Sequence, residues 1–230
     1  EGINKNQRES LISIYREMRL PSEKAQQHGH DLLLNYIAKL PEHSPSESIH
    51  HRKLVEIGTT RENVPGQGST LQLAALAKNK GISFISVDMD RHNSCWAQYN
   101  LELLKLPGKA FSQQGEVYLA EMQGEVDYVF LDAYDFDHGK HSELRQQRYH
   151  KYLGQRINEQ QCHKMHLDCA KSLLTKLTID GVICIDDTWQ DEQGHWTAKG
   201  TLAVPFLLDN GFEIVEARNR AVLMKRVTDA

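Results

Sequence analysis

Residues 53–70 read KLVEIGTTRENVPGQGST, and this stretch decides the fold. The short apolar run Lys53–Ile57 predicts a strand, and the glycines that follow it predict a turn. A helix is predicted from Ser69 to about Asn79, so the segment is a strand–loop–helix unit. Such a unit, repeated along a chain, builds a sheet that is covered by helices.

The alternation of strands and helices continues to the C-terminus. Further strands are predicted at Ile82–Val87, Ala110–Gln113, Val126–Leu131, Val182–Ile185, Phe212–Val215 and Ala221–Arg226. The last two are too close in sequence for a crossover helix, so they must pair antiparallel. The predicted fold is therefore a doubly wound α/β sheet of seven strands, mostly parallel with a C-terminal antiparallel hairpin, with helices on both faces.

The chain has 230 residues, of which 40% are hydrophobic, enough for one sizeable core. We assign residues 53–230 to this α/β domain and residues 1–52 to an N-terminal helical extension. The extension carries two apolar patterns of helical spacing, around Leu11–Met18 and Leu32–Leu40. Three roles remain open for it: a cover over one edge of the domain, a lid over the site, or a contact between subunits of a homo-oligomer.

Composition narrows the expected partners and compartment. The net charge of −4 gives no electrostatic reason to expect a nucleic-acid partner. No apolar run is long enough to span a membrane, and residues 1–20 lack the apolar core of a secretory signal. The four cysteines have no CxxC spacing and are expected to be reduced thiols. A cytoplasmic location without a membrane partner is the expectation.

Ligands of open α/β sheets bind beyond the carboxyl ends of the strands, so the residues there are the candidate site. Gly58 and Gly68 allow close approach of a ligand to the backbone, and a helix begins at Ser69 with free N–H groups. Asp88 follows the second strand, where a carboxylate can accept hydrogen bonds from ribose hydroxyls. These features favour a ligand that contains a nucleoside.

The charges near the glycines favour a cationic ligand over a pyrophosphate. The glycines are spread over a long loop instead of forming a compact GxGxxG, and Glu56 stands at the end of the first strand. A carboxylate there suits an amine or a sulfonium cation better than a phosphate. After the third strand, Gly115 and Glu116 offer a backbone amide and a carboxylate that can recognise an adenine edge.

These segments resemble the class I S-adenosylmethionine (SAM)-dependent methyltransferases, which have a Rossmann-like fold. The matching segments are Val55–Gly58, Gly66–Ser69, Val87–Asp90, Gly115–Glu116, Leu131–Tyr134 and Ile185–Asp187, and the terminal hairpin also fits. The resemblance covers about residues 53–227, but the loop at residues 59–65 is longer than the family pattern. It implies a SAM site formed by Glu56, Gly58, Gly68, Ser69, Asp88 and Glu116.

Acidic residues follow the fourth and fifth strands, Asp132 after the former and Asp186 and Asp187 after the latter. Neighbouring strand ends converge, and the repulsion between the carboxylates is relieved by protonation or by a hard divalent cation with oxygen ligands. The alternative is that some of these acids are solvated loop residues or helix N-caps. The arrangement is similar to the metal-dependent sugar O-methyltransferases of macrolide biosynthesis. That resemblance implies that Asp132, Asp186 and Asp187 hold Mg²⁺ or Mn²⁺.

Histidines supply the candidate base. His138, in the polar loop after the fourth strand, is the first choice, with His141 and His195 as alternatives. Trp189 and Trp196 either wall an acceptor pocket or pack beneath a long loop. A second histidine pattern, Cys162, His166 and Cys169 on one helix face, is interpreted as a packing face because it lacks a clear fourth zinc ligand.

The sequence therefore predicts a SAM-dependent O-methyltransferase that uses Mg²⁺ and a small hydroxylated acceptor, such as a sugar or natural product. Two alternatives remain open. One is an NAD-linked oxidoreductase with the same kind of crevice, and the other is a non-catalytic SAM-binding protein. The spread glycines, Glu56 and the terminal hairpin count against the first, and the acid cluster counts against the second.

Overall fold

The computed structural model describes residue 9 and residues 28–41, 52–61 and 68–227. The predicted first helix, around Leu11–Met18, lies outside the described residues, as does most of the connector that precedes the first strand. Within the described residues, no helix is both long and apolar enough to cross a membrane.

Residues 28–41, 52–61 and 68–227 form seven strands and seven helices. The strands are β1 (Lys53–Ile57), β2 (Ser83–Asp88), β3 (Lys109–Ser112), β4 (Val126–Leu131), β5 (Leu177–Ile185), β6 (Phe212–Arg218) and β7 (Ala221–Arg226). The helices are α1 (His30–Lys39), α2 (Ser69–Lys80), α3 (Arg91–Leu103), α4 (Gly115–Glu121), α5 (Glu143–Leu153), α6 (Glu159–Lys176) and α7 (Gly200–Asp209).

All seven strands form one sheet in the order β3-β2-β1-β4-β5-β7-β6. The pairs from β3 to β5 are parallel, whereas β7 runs antiparallel to both β5 and β6. A two-residue turn, Asn219-Arg220, joins β6 and β7, and both residues have positive φ angles, of 54° and 57°. Such a turn matches the twist of an antiparallel hairpin. The predicted fold class is therefore confirmed.

Helices cover the sheet on both faces, because the central strands have apolar side chains on both sides. All six residues of β4 are buried. Val129 and Leu131 pack in a core with α6 and α7, and Tyr128 and Phe130 pack in a second core with α1, α2 and α3. The part of the N-terminal extension that is described, α1, thus packs on the same domain.

The predicted boundaries between β4 and β5 differ most from the structure. The long helical stretch between β4 and β5 is divided into α5 and α6, because Gly154 adopts the left-handed conformation and ends α5. Leu177, predicted to end that helix, is the first residue of β5. The start of β5 was missed because Ile179 and Asp180 are both exposed, so this part of the strand shows no alternating pattern.

Gly58 brings the end of β1 close to the end of β4. Its N–H donates to the carbonyl of Val87 at 2.8 Å, and its φ angle is 101°. A Cβ atom at this position would lie 2.2 Å from the carbonyl oxygen of Asp132. Only glycine meets both conditions, so this turn is fixed by the backbone.

We expect Gly58→Ala to destabilise the fold by about 3 kcal/mol or more, because it adds a backbone clash to the strain of a positive φ. Gly81→Ala is the matched control, since Gly81 also has a positive φ, of 65°, but a Cβ there would meet no atom within 4 Å. Its expected cost is about 1 kcal/mol. Urea unfolding of both variants measures the difference, and equal costs would contradict the proposed clash.

Candidate functional site

A cavity of about 580 Å³ opens at the carboxyl ends of β1, β2 and β4. Four of the predicted site residues line it: Gly58, Ser69, Asp88 and Asp132. Gly115, at the start of α4, lines it as well. The tertiary structure therefore brings these five residues around one space at this edge of the sheet.

Glu56 lies behind the cavity wall and is fully buried. Its carboxylate accepts hydrogen bonds from three hydroxyl groups, those of Ser69 at 2.6 Å, Thr70 at 2.7 Å and Ser86 at 2.5 Å. Burial raises the pKa of Glu56 to about 7, although the three hydroxyl groups oppose this shift. Glu56 thus fastens the first turn of α2 to β1 and β2.

Two hydrogen bonds join the two ends of the loop between β1 and α2. The N–H of Thr60 donates to the Thr70 hydroxyl at 2.9 Å, and the N–H of Thr70 donates to the Thr60 hydroxyl at 3.0 Å. Gly68 is the residue immediately before α2 and is buried. These two hydrogen bonds hold the N-terminus of α2 beside the end of β1, at the cavity.

Asp88 ends β2 with its carboxylate at the cavity. The carboxylate accepts hydrogen bonds from the N–H of Asp90 at 2.7 Å, the side chain of Asn93 at 3.2 Å and the N–H of Thr59 at 3.3 Å. Burial raises its pKa to about 6, against the effect of these donors. The position of the carboxylate is therefore fixed before any ligand arrives.

Glu116 lies in the first turn of α4 and does not line the main cavity. Tyr134, which separates that cavity from a second one of about 460 Å³, donates a hydrogen bond to Glu116 Oε1 at 3.3 Å. Glu116 Oε2 is buried without a hydrogen-bond partner among the described residues. Burial raises the pKa of this carboxyl. Glu116 therefore lines the second cavity and not the main one.

The acidic residues that follow β4 and β5 surround a lysine that the sequence did not predict as part of the site. The ammonium group of Lys199 forms ion pairs with Asp132 Oδ1 and with Asp187 Oδ2, the latter at 3.1 Å. The Lys199 side chain is only 2% exposed. Burial opposes its charge, but the surrounding carboxylates raise its pKa well above the ordinary value. The sequence feature that could have indicated this contact is a lysine directly before the helix that follows β5.

Asp186 and Asp187 are directed to different neighbours. Asp187 has a positive φ of 43°, so the chain turns directly after β5, as the sequence required for a shared site. Asp186, however, packs against Gly29, where a Cβ atom would lie 1.8 Å from Asp186 Oδ1. Burial and the nearby Asp132 carboxylate raise the pKa of Asp186. Thus α1 begins against the acid cluster, which sequence analysis did not anticipate.

These residues do not fit the predicted Mg²⁺ or Mn²⁺ site. A metal there would need oxygen atoms of Asp132, Asp186 and Asp187 directed at one point, but Asp132 and Asp187 are directed at the Lys199 ammonium. Within the described part of the chain, no group of three His, Cys, Asp or Glu side chains is arranged to hold a metal ion. The prediction from sequence considered only the carboxylates and omitted the buried cation among them.

The histidines proposed as bases lie outside the cavity lining. His138 is exposed, and its ring centroid lies 3.8 Å from that of His141. His195 is 79% exposed and pairs with Asp191 on a hairpin tip. The ring of Phe136 contacts both His138 and Trp189, and the guanidinium of Arg220 stacks over Trp189 at 4.1 Å. His138 therefore belongs to an aromatic group on the loop after β4.

Helix α5 closes one side of the cavity with arginines, a feature that the sequence analysis did not identify. Arg145 pairs with Asp135 at 2.9 Å, and Arg61 from the opposite wall pairs with the same carboxylate at 3.2 Å. Although burial opposes the charge of Asp135, the two guanidinium groups hold its pKa well below the usual range. Arg148 lies 3.5 Å from Asp90. The cavity wall thus combines positive and negative groups.

The pKa of Glu56 predicts how stability depends on pH. In the unfolded chain this carboxyl ionises near 4.5, whereas in the fold it keeps its proton up to about pH 7. The folded state binds more protons between these values, so stability falls as the pH rises through this window. The full effect is roughly 3 kcal/mol.

Glu56→Gln should remove this contribution, so the variant should gain stability relative to the unmodified chain between about pH 4.5 and 7. Glu213→Gln is the control, because Glu213 is exposed on β6. Urea unfolding across the pH range provides the measurement. Parallel stability curves for Glu56→Gln and the unmodified chain would contradict the raised pKa.

Solved methyltransferases share this fold. The SAH-bound methyltransferase PaMTH1 from Podospora anserina is 13% identical, with a TM-score of 0.53 over 99% of this chain and 90% of that chain. An rRNA methylase from Streptococcus thermophilus is 10% identical, with a TM-score of 0.51 over 89% of this chain and 99% of that chain. The ribosomal protein L11 methylase from Lactobacillus delbrueckii subsp. bulgaricus is 14% identical, with a TM-score of 0.50 over 86% of this chain and 77% of that chain.

No protein-family model and no curated protein sequence matches the chain. At identities this low, the likeness to solved structures concerns the fold alone. The chain has the Rossmann-like fold found in these methyltransferases.

Proposed function

We propose that this chain is a SAM-dependent methyltransferase. The observation that carries the proposal is the Asp88 carboxylate, which is held at the end of β2 beside the Gly58 turn in a cavity of about 580 Å³. The fold supports it, because at least one methyltransferase with this architecture was solved with SAH bound. The cavity lies at the carboxyl edge of the sheet, where open α/β sheets bind ligands.

For the cofactor, we assign the ribose hydroxyls to Asp88 and the methionyl part to the backbone at Gly58, Gly68 and Ser69. Glu56 supports this site from behind, since its carboxylate holds the hydroxyl groups of Ser69 and Thr70. Glu116 remains the proposed acceptor for an adenine amino group, and its unpartnered Oε2 atom supports that role. Binding by these groups would place the reactive methyl group near the end of β4.

For the acceptor, we propose a hydroxyl group of a small molecule. The aromatic group around Phe136 and Trp189 supplies flat apolar surface beside the acid cluster. Two of the structural neighbours are named as methylases of rRNA or of a ribosomal protein. For this chain, the net charge of −4 and the pairing of the Arg61 and Arg145 guanidinium groups with Asp135 favour a small acceptor over RNA.

The first prediction for this function concerns SAM. Asp88→Ala should weaken SAM binding about ten- to a hundredfold, because a charged hydrogen bond to the ribose is lost. Asp180→Ala is the matched control, since Asp180 is an exposed acid in the first half of β5 and loses the same charge. Isothermal calorimetry with SAM, SAH and NAD gives the three affinities.

Equal SAM affinity in the Asp88→Ala variant and the unmodified chain would reject the assigned ribose site. Binding of NAD without binding of SAM would support the oxidoreductase alternative. Release of SAH during incubation with a panel of hydroxylated small molecules distinguishes an enzyme from a protein that only binds SAM. An RNA transcript in the same panel tests the other acceptor class.

The second prediction concerns the base. An alcohol becomes a good nucleophile when its proton is removed, and we propose His138 for this role because it lies on the loop that leaves β4. His138→Ala should lower turnover by about 10²- to 10⁴-fold while SAM affinity stays unchanged. His195→Ala is the comparison variant, because the His195 side chain is 79% exposed and pairs with Asp191. Full turnover in His138→Ala together with a loss in His141→Ala would move the role to His141.

A further inference from the structure

We infer that the Lys199 ammonium is the permanent cation of the acid cluster and takes the place that the sequence suggested for a divalent metal ion. Lys199 is a positioning residue in this proposal, because it holds Asp132, which lines the cavity, and Asp187. The consequence is that the site needs no added metal. The part of this inference that concerns catalysis, methyl transfer without a metal, rests on the proposed function.

The charges in the cluster are balanced without a metal. Asp132 and Asp187 each contribute a carboxylate to the buried Lys199 ammonium. The guanidinium of Arg220 lies 3.7 Å from the other oxygen of Asp187. Asp132 and Asp187 therefore face two basic side chains, whereas Asp186 is directed at Gly29. A divalent ion inserted between Asp132 and Asp187 would be repelled by the buried ammonium of Lys199.

The backbone fixes Lys199 in this position. The loop between β5 and α7 folds back on itself, with an isolated bridge between Gln190 and Trp196. The N–H of Lys199 donates to the carbonyl of Asp187 at 3.2 Å, which joins the two ends of the loop. The next residue, Gly200, packs so closely that a Cβ atom would lie 1.9 Å from Thr188 Oγ1.

These contacts fix the Lys199 backbone at the site. A flexible surface lysine could leave when a metal arrives, but this side chain is 2% exposed, and its backbone is held by the loop closure. Removal of the ammonium alone would leave Asp132 and Asp187 facing each other, with the Arg220 guanidinium beside Asp187 as the remaining counter-charge. Such a pair of carboxylates is what a hard divalent cation binds.

The test therefore asks whether a metal response is absent in the unmodified chain and appears when Lys199 is removed. Thermal unfolding is measured with EDTA, with millimolar MgCl₂ and with NaCl at equal ionic strength, and Mn²⁺ binding is measured by electron paramagnetic resonance. The unmodified chain should show the same Tm in all three solutions. Lys199→Ala should have a lower Tm that MgCl₂ raises, and it should bind Mn²⁺ at least about tenfold more tightly than the unmodified chain.

Two further variants serve as controls. Lys171→Ala removes an exposed lysine that also pairs with a carboxylate, Asp168, so it should show no response to MgCl₂. In the double variant Lys199→Ala/Asp187→Asn, one of the two carboxylates that lose their lysine partner is also neutralised. This variant should not show the rise in Tm with MgCl₂ that is expected of Lys199→Ala. If Lys199→Ala does not fold, Lys199→Met is used in its place, because methionine retains the apolar bulk of the lysine side chain.

A rise in the Tm of the unmodified chain with MgCl₂, or Mn²⁺ binding that Lys199→Ala weakens, would overturn the inference. So would turnover that EDTA abolishes and Mg²⁺ restores. None of the stability measurements depends on SAM. Failure of SAM to bind would therefore refute the proposed function and leave the assignment of Lys199 as the cluster's cation intact.

Discussion

The repulsion between carboxylates at the ends of β4 and β5 is the constraint on which the site depends. Parallel strands bring Asp132 and Asp187 to the same edge of the sheet. The buried ammonium of Lys199 offsets this repulsion and joins the start of α7 to both strand ends. The loop after β5 is closed by the same residue, so its path and the charge of the cluster are determined together.

The other half of the cavity is organised by hydrogen bonds around a buried acid. Glu56 gathers hydroxyl groups from α2 and β2, and the glycine at position 58 lets β1 approach β4. The result is a rigid wall in which Asp88 is already oriented by backbone and side-chain donors. Preorganisation of this kind lowers the cost of binding a ligand with several polar groups.

Between these halves, the cavity is bounded by residues that are distant in sequence. Arg61 from the β1 loop and Arg145 from α5 meet on Asp135, and α1 begins against Asp186. The N-terminal segment is therefore linked physically to the acid cluster. A lid or a subunit contact remains a proposal for the part of the extension that precedes α1.

The sheet and most of the cavity edge could be predicted from the sequence because strand signals are local. Apolar runs and the short turn at Asn219-Arg220 define the strands and the hairpin without knowledge of distant contacts. The same rule placed Gly58, Asp88 and Asp132 at one edge, since the ends of parallel strands converge. The short helix α4 and the division between α5 and α6 were missed, because their apolar patterns are weak.

Which charges neutralise each other was decided only by the tertiary structure. Lys199 and Asp132 are 67 residues apart in sequence, and lysine is seldom buried, so a lysine directly before α7 did not by itself indicate this contact. The sequence positions of Asp132, Asp186 and Asp187 at neighbouring strand ends are equally consistent with a metal ion, shared protons or a buried basic side chain. The sequence by itself determined where the acids lie, and the packing of α7 determined what they bind.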